Sequence, residues 1–68
     1  MKKKFGERLK ELRIERGLSG RELGRKIGVS GSTIMRWEKG QNVILAELLE
    51  NLANFFGVSM GYLFGIEN

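Results

Sequence analysis

The stretch that decides the fold is GRELGRKIGVSGSTIMRWEK, residues 20–39. It predicts two short helices joined by a tight turn at Gly28. Gly24 has no Cβ, so the second helix can cross the first closely, at the ~90–120° of a helix-turn-helix. Apolar residues lie at the spacing of two inward-facing helix surfaces: Leu23, Ile27, Val29, Ile34 and Trp37. We therefore predict a helix-turn-helix over residues 20–39.

The rest of the chain predicts three more helices and no strand. Ser19 and Glu22 have the S-x-x-E spacing of a capping box at the start of the second helix. No proline, repeat or low-complexity segment interrupts the sequence. We expect one compact all-α domain over residues 1–68, with Phe5, Trp37, Phe56 and Tyr62 in its core. The five predicted helices cover about residues 4–16, 19–28, 30–39, 44–56 and 59–64.

Composition excludes several classes of function. The chain has no Cys and no His, so it lacks the thiolate ligand, the commonest metal ligand and the commonest general base. Ser–His and Cys–His catalytic pairs cannot be built. No apolar run approaches the ~20 residues needed to span a bilayer. We expect a soluble cytoplasmic protein that is not an enzyme and that uses no cofactor, metal or small-molecule ligand.

Positive charge is concentrated in residues 1–40. They hold all 12 Lys and Arg against five Glu, a net +7, whereas residues 41–68 hold three Glu and no cation. A basic block favours a polyanionic partner, because releasing the counterions of phosphates supplies most non-specific affinity. Basic small proteins are common, so positive charge alone says little about function. The charge is informative here because it coincides with the helix-turn-helix. Together, charge and motif predict binding to double-stranded DNA.

Short runs of residues from about Phe5 to Gly65 match the sequence pattern of a known protein family, in the same order. They are Leu12-Arg13, Arg16-Gly17-Leu18-Ser19, Glu22-Leu23, Ile27-Gly28-Val29-Ser30, Ser32-Thr33-Ile34, Arg36-Trp37-Glu38-Lys39-Gly40, Leu52-Ala53, Phe56-Gly57-Val58-Ser59 and Tyr62-Leu63. This order resembles the phage-repressor/Cro-type (lambda-repressor-like) helix-turn-helix family of DNA-binding transcriptional regulators. The resemblance implies a compact five-helix domain whose third helix enters the major groove. It also implies a sequence-specific regulator of the repressor type.

The resemblance further implies an ion pair between the first helix and the end of the third. Arg13 and Glu38 fall on those two positions. We expect them to hold the recognition helix without touching DNA. The alternative is that Arg13 is an ordinary solvated charge.

Base contact is implied at the exposed N-terminal face of the third helix. Arg36 is the strongest candidate, because its guanidinium can bridge guanine O6 and N7; the alternative is a phosphate contact. Gly31 departs from the family's longer or polar residue and has no side chain with which to read a base, which favours low specificity. The predicted base-contacting residues are Gly31, Ser32, Met35 and Arg36.

Phosphate contacts are predicted around the two ends of the motif. Gly20 stands where the family often carries a glutamine, and its backbone N–H at a helix N-terminus can still bind phosphate. No packing reason for Gly20 or Gly31 is evident in the sequence. Lys2-Lys3-Lys4 could form an arm against DNA, or a frayed solvated terminus. The predicted phosphate-contacting residues are Gly20, Arg21, Thr33, Lys39, Gln41 and Asn42.

Two apolar segments remain outside the motif. Leu63, Phe64 and Ile66 predict a weak homodimer, which would place two recognition helices one DNA turn (~34 Å) apart on an inverted-repeat operator. The run 43–45, Val-Ile-Leu, stands where the family commonly has a proline and a helix cap. We expect this run to deepen the core. If it is an exposed patch instead, it favours the alternative function, a protein-interaction module of the antitoxin or adaptor type.

Overall fold

Five α-helices follow one another in the computed structural model, which describes residues 4–41 and 43–67. Each observed end lies within two residues of its predicted position, and this part of the chain contains no strand. The predicted all-α fold is therefore confirmed. The helices are α1 (Phe5–Glu15), α2 (Gly20–Ile27), α3 (Gly31–Glu38), α4 (Ala46–Phe56) and α5 (Met60–Phe64).

Serine side chains begin three of these helices. The hydroxyl oxygens of Ser19, Ser30 and Ser59 each accept a hydrogen bond from a backbone N–H in the first turn of α2, α3 and α5. The predicted capping box is present: the Glu22 N–H donates to Ser19 Oγ at 3.0 Å, and the Ser19 N–H donates to Glu22 Oε1 at 2.9 Å. Hydrogen bonding of the Glu22 carboxylate by Ser19, chiefly by its backbone N–H, lowers the pKa of Glu22 below its ordinary value.

The turn between α2 and α3 depends on two glycines. Gly28 ends α2 with a φ of +93°, a left-handed conformation that costs glycine little. Gly24 permits the close crossing, because a Cβ on it would lie 2.5 Å from the carbonyl oxygen of Val29. The turn therefore needs glycine at both positions.

The core lies where all five helices meet. Ile34 and Trp37 of α3 are buried in it, as the apolar spacing of residues 20–39 predicts. Phe56 is also buried, whereas Phe5 packs against the core from its edge. The buried apolar residues are Leu9, Leu23, Ile34, Trp37, Leu49, Leu52, Ala53, Phe56 and Leu63.

Arg8 joins α1 to α5 from within the buried interior. Its guanidinium carbon lies 4.1 Å from the centroid of the Tyr62 ring, a cation–π distance. Arg8 is buried, and its Nε and Nη1 atoms have no hydrogen-bond partner among the described residues. Tyr62 is half-buried and serves as the platform for this cation.

The segment between α3 and α4 differs from the prediction. Val43 is 95% exposed and Leu45 is 70% exposed, while Ile44 packs against the core. The expectation that all three residues deepen the core is therefore wrong for Val43 and Leu45. Leu45 has an extended backbone, in which successive side chains point to opposite sides, so only the middle residue faces inward. Helix α4 begins at Ala46, and its N-cap residue, Leu45, makes no side-chain hydrogen bond to the first turn.

The C-terminal apolar residues divide between core and surface. Leu63 is fully buried, whereas Phe64 and Ile66 are exposed. The predicted contribution of Leu63 to a dimer surface is wrong, because its side chain fills the core beneath α5. None of the helices in residues 4–41 and 43–67 combines the length and apolar character that a membrane crossing requires.

Candidate nucleic-acid interface

Helix α3 presents one face to the core and the opposite face to solvent. Ile34 and Trp37 point inward. Ser32, Met35 and Arg36 are exposed and are spaced at i, i+3 and i+4, which places them on a single helix face. The structure thus brings together the three predicted base-contacting residues that have an outward side chain.

Hydroxyl groups cluster at the N-terminus of α3. Ser30 Oγ lies 3.0 Å from Ser32 Oγ and 2.9 Å from Thr33 Oγ1, and it accepts a hydrogen bond from the Thr33 N–H at 3.1 Å. The cap therefore fixes the directions of the Ser32 and Thr33 hydroxyls. The positive end of the helix dipole lies at the same point and favours an anion there.

The N-terminus of α2 packs directly against the N-terminus of α3. A Cβ on Gly31 would lie 2.9 Å from the Cα of Arg21, and a Cβ on Gly20 would lie 2.7 Å from the Sδ of Met35. The close approach of the Arg21 backbone is a packing reason for Gly31 that was not evident in the sequence, whereas Gly20 meets only the flexible end of the Met35 side chain. Arg21 fills the space into which a side chain at position 31 would point. Any contact that Gly31 makes with DNA is therefore made by its backbone.

An ion pair joins α3 to α1 behind this surface. The Arg13 Nε donates to Glu38 Oε2 at 2.6 Å and its Nη2 donates to Glu38 Oε1 at 2.9 Å. Arg13 Nη1 also donates to the carbonyl oxygen of Leu18 at 2.9 Å. The side chains are 12% and 4% exposed, and the hydrogen bond to Glu38 raises the pKa of Arg13. Arg13 is thus a paired, mostly buried cation.

The pairing of Glu38 also shapes the electrostatics of the outer surface. Its carboxylate is turned inward and neutralised by Arg13, so it does not oppose the cations on the motif. The exposed cations of α2, α3 and the residue after α3 are Arg21, Arg25, Lys26, Arg36 and Lys39. This arrangement gives the motif a net positive outer surface.

The remaining predicted phosphate contacts follow α3. Lys39 and Gln41 are exposed, and the Gln41 N–H donates to the carbonyl oxygen of Arg36 at 3.0 Å. Asn42 lies outside the described residues, as do Lys2 and Lys3 of the predicted arm. Of the predicted phosphate contacts that follow α3, the structure therefore gives positions for Lys39 and Gln41.

Sequence reasoning missed the importance of Gly6 to the seating of α3. Gly6 is buried in α1, and a Cβ on it would lie 2.7 Å from the carbonyl oxygen of Trp37 and closer still to that of Glu38. The available signal was a glycine inside a predicted helix, which also drew attention to Gly24. Gly6 thus lets α1 approach the backbone at the C-terminal end of the recognition helix.

Comparison with known proteins identifies the family to which the chain belongs. Residues 9–63 match the profile of the family described as Helix-turn-helix. The chain belongs to this helix-turn-helix family. The match covers all of α2, α3 and α4 and all of the buried apolar residues given above.

Two of the similar proteins are repressors. The chain is 37% identical over 59 residues to the cryptic phage CTXphi transcriptional repressor RstR from Vibrio cholerae, with 87% of this chain and 53% of RstR covered. It resembles the P22 c2 repressor crystallised with a synthetic operator, with a TM-score of 0.89, 28% identity, and 96% and 98% of the two chains covered.

A third similar protein is of nearly the same size. The restriction-modification controller protein C.AhdI from Aeromonas hydrophila has a TM-score of 0.79 and 33% identity, with 88% of this chain and 91% of that chain covered. In contrast, the chain spans about half of the length of RstR and 16% of two putative regulatory proteins from Pyrococcus furiosus and Pyrococcus abyssi. The helix-turn-helix unit therefore occurs in proteins of very different length.

Proposed function

We propose that this chain is a sequence-specific, double-stranded-DNA-binding transcriptional regulator of the repressor type, acting in the cytoplasm, with α3 in the major groove. The observation that carries the proposal is the outer face of α3. It presents Ser32, Met35 and Arg36 together beside the N-terminus of α2, in the geometry with which helix-turn-helix proteins contact base edges. The similarity to RstR and to an operator-bound P22 c2 repressor supports it.

The proposed contacts divide into base reading and phosphate binding. Arg36 reads a guanine, Ser32 and Met35 read neighbouring bases, and Gly31 contributes its backbone alone. Phosphates are bound by the backbone N–H of Gly20 and by a set of polar or charged residues around the motif. That set is Arg21, Thr33, Lys39, Gln41 and, outside the described residues, Asn42.

Selection of bound sites from a random duplex library, with the purified chain in moderate salt, tests the proposal. We expect an inverted repeat whose half-sites are about one helical turn apart. Binding should weaken steeply between about 50 and 200 mM salt, because each phosphate contact releases counterions. Absence of salt-sensitive binding to any duplex would contradict DNA binding.

A second candidate function is supported by the exposed side chains of Val43 and Leu45. Contiguous exposed apolar side chains can mark a protein-interaction surface, as expected of a module of the antitoxin or adaptor type. An apolar protein contact would be insensitive to salt over the range that weakens DNA binding. The same salt series therefore separates the two functions.

Replacing Arg36 with Ala should cost about 1–3 kcal/mol of binding free energy on the selected duplex and relax preference at one base pair. Lys39→Ala is the matched control, since a phosphate contact should weaken all duplexes alike and make the salt dependence shallower. Titration of both variants against the selected duplex and its single-base variants makes the comparison. Equal weakening of every duplex by Arg36→Ala would move base reading to another residue.

We further propose a weak homodimer through Phe64 and Ile66. Both side chains are exposed, and the Phe64 ring is supported by Phe5 at a centroid distance of 6.1 Å. Phe64→Ser with Ile66→Ser should abolish dimers on the inverted repeat, as measured by light scattering, without unfolding the chain. Val43→Ser with Leu45→Ser is the control for loss of exposed apolar surface elsewhere. A wild-type chain that is monomeric both free and on the inverted repeat would contradict this dimer.

A further inference from the structure

Met35 occupies a particular place on the outer face of α3. It lies on the side of that face nearest to α2, and its side chain is 39% exposed. Its Sδ and Cγ atoms lie 2.7 Å and 3.6 Å from the position that a Cβ on Gly20 would occupy. The thioether therefore folds back over the first residue of α2, into space that only a glycine leaves free.

Two glycines adjoin Met35 on that side of the face. Gly31 is four residues before Met35, which makes it the neighbour one turn earlier on the same helix face. Neither Gly20 nor Gly31 has a side chain, so Met35 is bordered by backbone at both positions, with Arg21 on the far side of Gly31. A methionine is flexible by itself, and the contact over Gly20 is what gives this one a preferred position.

This surface matches one feature of the major groove. Among the groups that base pairs expose there, the C5 methyl of thymine is the apolar one, and side chains contact it through apolar atoms. A polar base edge placed against Met35 would lose its hydrogen bonds to water without gaining others, which is unfavourable. A 5-methylpyrimidine, either thymine or 5-methylcytosine, offers the complementary group.

We propose that Met35 is a specificity-determining residue that contacts the 5-methyl group of a pyrimidine, and that Gly20 positions it. The inference rests on the proposed function and deepens it, because it assigns a chemical preference to one part of the recognition surface. It also gives the Gly20 departure from the family pattern a role. Gly20 leaves free the space into which the Met35 thioether folds.

Removing single methyl groups from the DNA tests the proposal directly. In the duplex enriched by selection, each thymine is replaced in turn by deoxyuridine, which removes only the methyl group. We expect one thymine per half-site at which binding weakens about fourfold, the effect of one buried methyl group. At that position a C·G pair should bind more weakly than the same pair carrying 5-methylcytosine, because the proposed contact is to the methyl group; equal binding of the two would contradict it.

Three variants assign the effect to Met35. Met35→Ala should bind thymine and deoxyuridine duplexes equally, and Met35→Leu should retain most of the difference. Gly20→Ala should reduce the difference because its Cβ displaces the Met35 thioether. Arg36→Ala is the control, since it should keep the full methyl dependence while losing affinity at its own base pair.

The outcomes separate this inference from the function on which it rests. Salt-sensitive binding with no deoxyuridine effect, with an effect that persists in Met35→Ala, or with no enriched sequence at all would overturn the role of Met35 and leave DNA binding in place. Absence of salt-sensitive binding would overturn both. Circular dichroism of each variant establishes that the helices are intact before binding is compared.

Discussion

Replacing Glu38 with Ala should lower the free energy of unfolding by about 3–5 kcal/mol. The substitution leaves the Arg13 guanidinium, whose side chain is 12% exposed, without its carboxylate in a site from which water is largely excluded. Arg13 cannot escape by losing its proton, because the guanidinium remains charged at all ordinary pH values. Small domains are stable by only about 5–15 kcal/mol, so a large part of the total is at stake.

Urea unfolding followed by circular dichroism measures this loss. Glu50→Ala is the matched control, since Glu50 is an exposed glutamate and surface substitutions usually change stability by less than about 0.5 kcal/mol. The double variant Arg13→Met with Glu38→Leu should recover most of the stability, because it removes both charges and keeps apolar volume. A Glu38→Ala chain as stable as the Glu50→Ala chain would show that the pair contributes nothing.

The ion pair shows why some contacts are harder to predict than others. Its two residues are separated by 25 positions in the chain, and no local pattern of charge links them. Resemblance to a family singled out Arg13 and Glu38, whereas spacing and periodicity did not. Helix starts are the opposite case: Ser19 and Ser30 each accept a hydrogen bond from a backbone N–H three residues away, so a short window of sequence is sufficient to predict them.

Burial in irregular segments was the weakest part of the sequence-based prediction. Hydrophobic periodicity places Ile34 and Trp37 in the core because a helix fixes the direction of each side chain. The run 43–45 has no such period, and its three apolar residues divide between core and solvent according to a backbone path that the sequence does not specify. On α5, Leu63 is buried and its neighbour Phe64 is exposed. So short a helix has too few residues for its apolar spacing to predict which side faces the core.

The candidate interface was predictable in its residues but not in its packing. The resemblance to the family predicts base contact by Ser32, Met35 and Arg36, and the three side chains lie on one exposed face of α3. The contact between Met35 and Gly20 does not follow from that resemblance, because it joins two helices whose exact separation depends on the glycines at both N-termini. Glycine positions carry this information in the sequence, but which backbone approaches them becomes evident only in three dimensions.

Replacing Gly6 with Ala should have the second large effect on stability. At this position the usual stabilising effect of Gly→Ala inside a helix should be reversed. Gly→Ala inside a helix usually stabilises by about 1 kcal/mol. Gly6→Ala should instead destabilise by about 3 kcal/mol, the upper part of the range for overpacked cores. The added Cβ would meet the backbone carbonyl oxygens of Trp37 and Glu38, and no change of rotamer can move a backbone atom away.

Gly20→Ala is the control that isolates this cause. There the added Cβ meets the end of the Met35 side chain, which can rotate aside, so stability should stay within about 1 kcal/mol of the wild type. Urea unfolding of both variants and the wild type makes the comparison. A Gly6→Ala chain as stable as Gly20→Ala would mean that α1 can withdraw from the end of α3 without cost. The recognition helix would then be held at that end by the Arg13–Glu38 pair and the core alone, and not by the close approach of the two backbones.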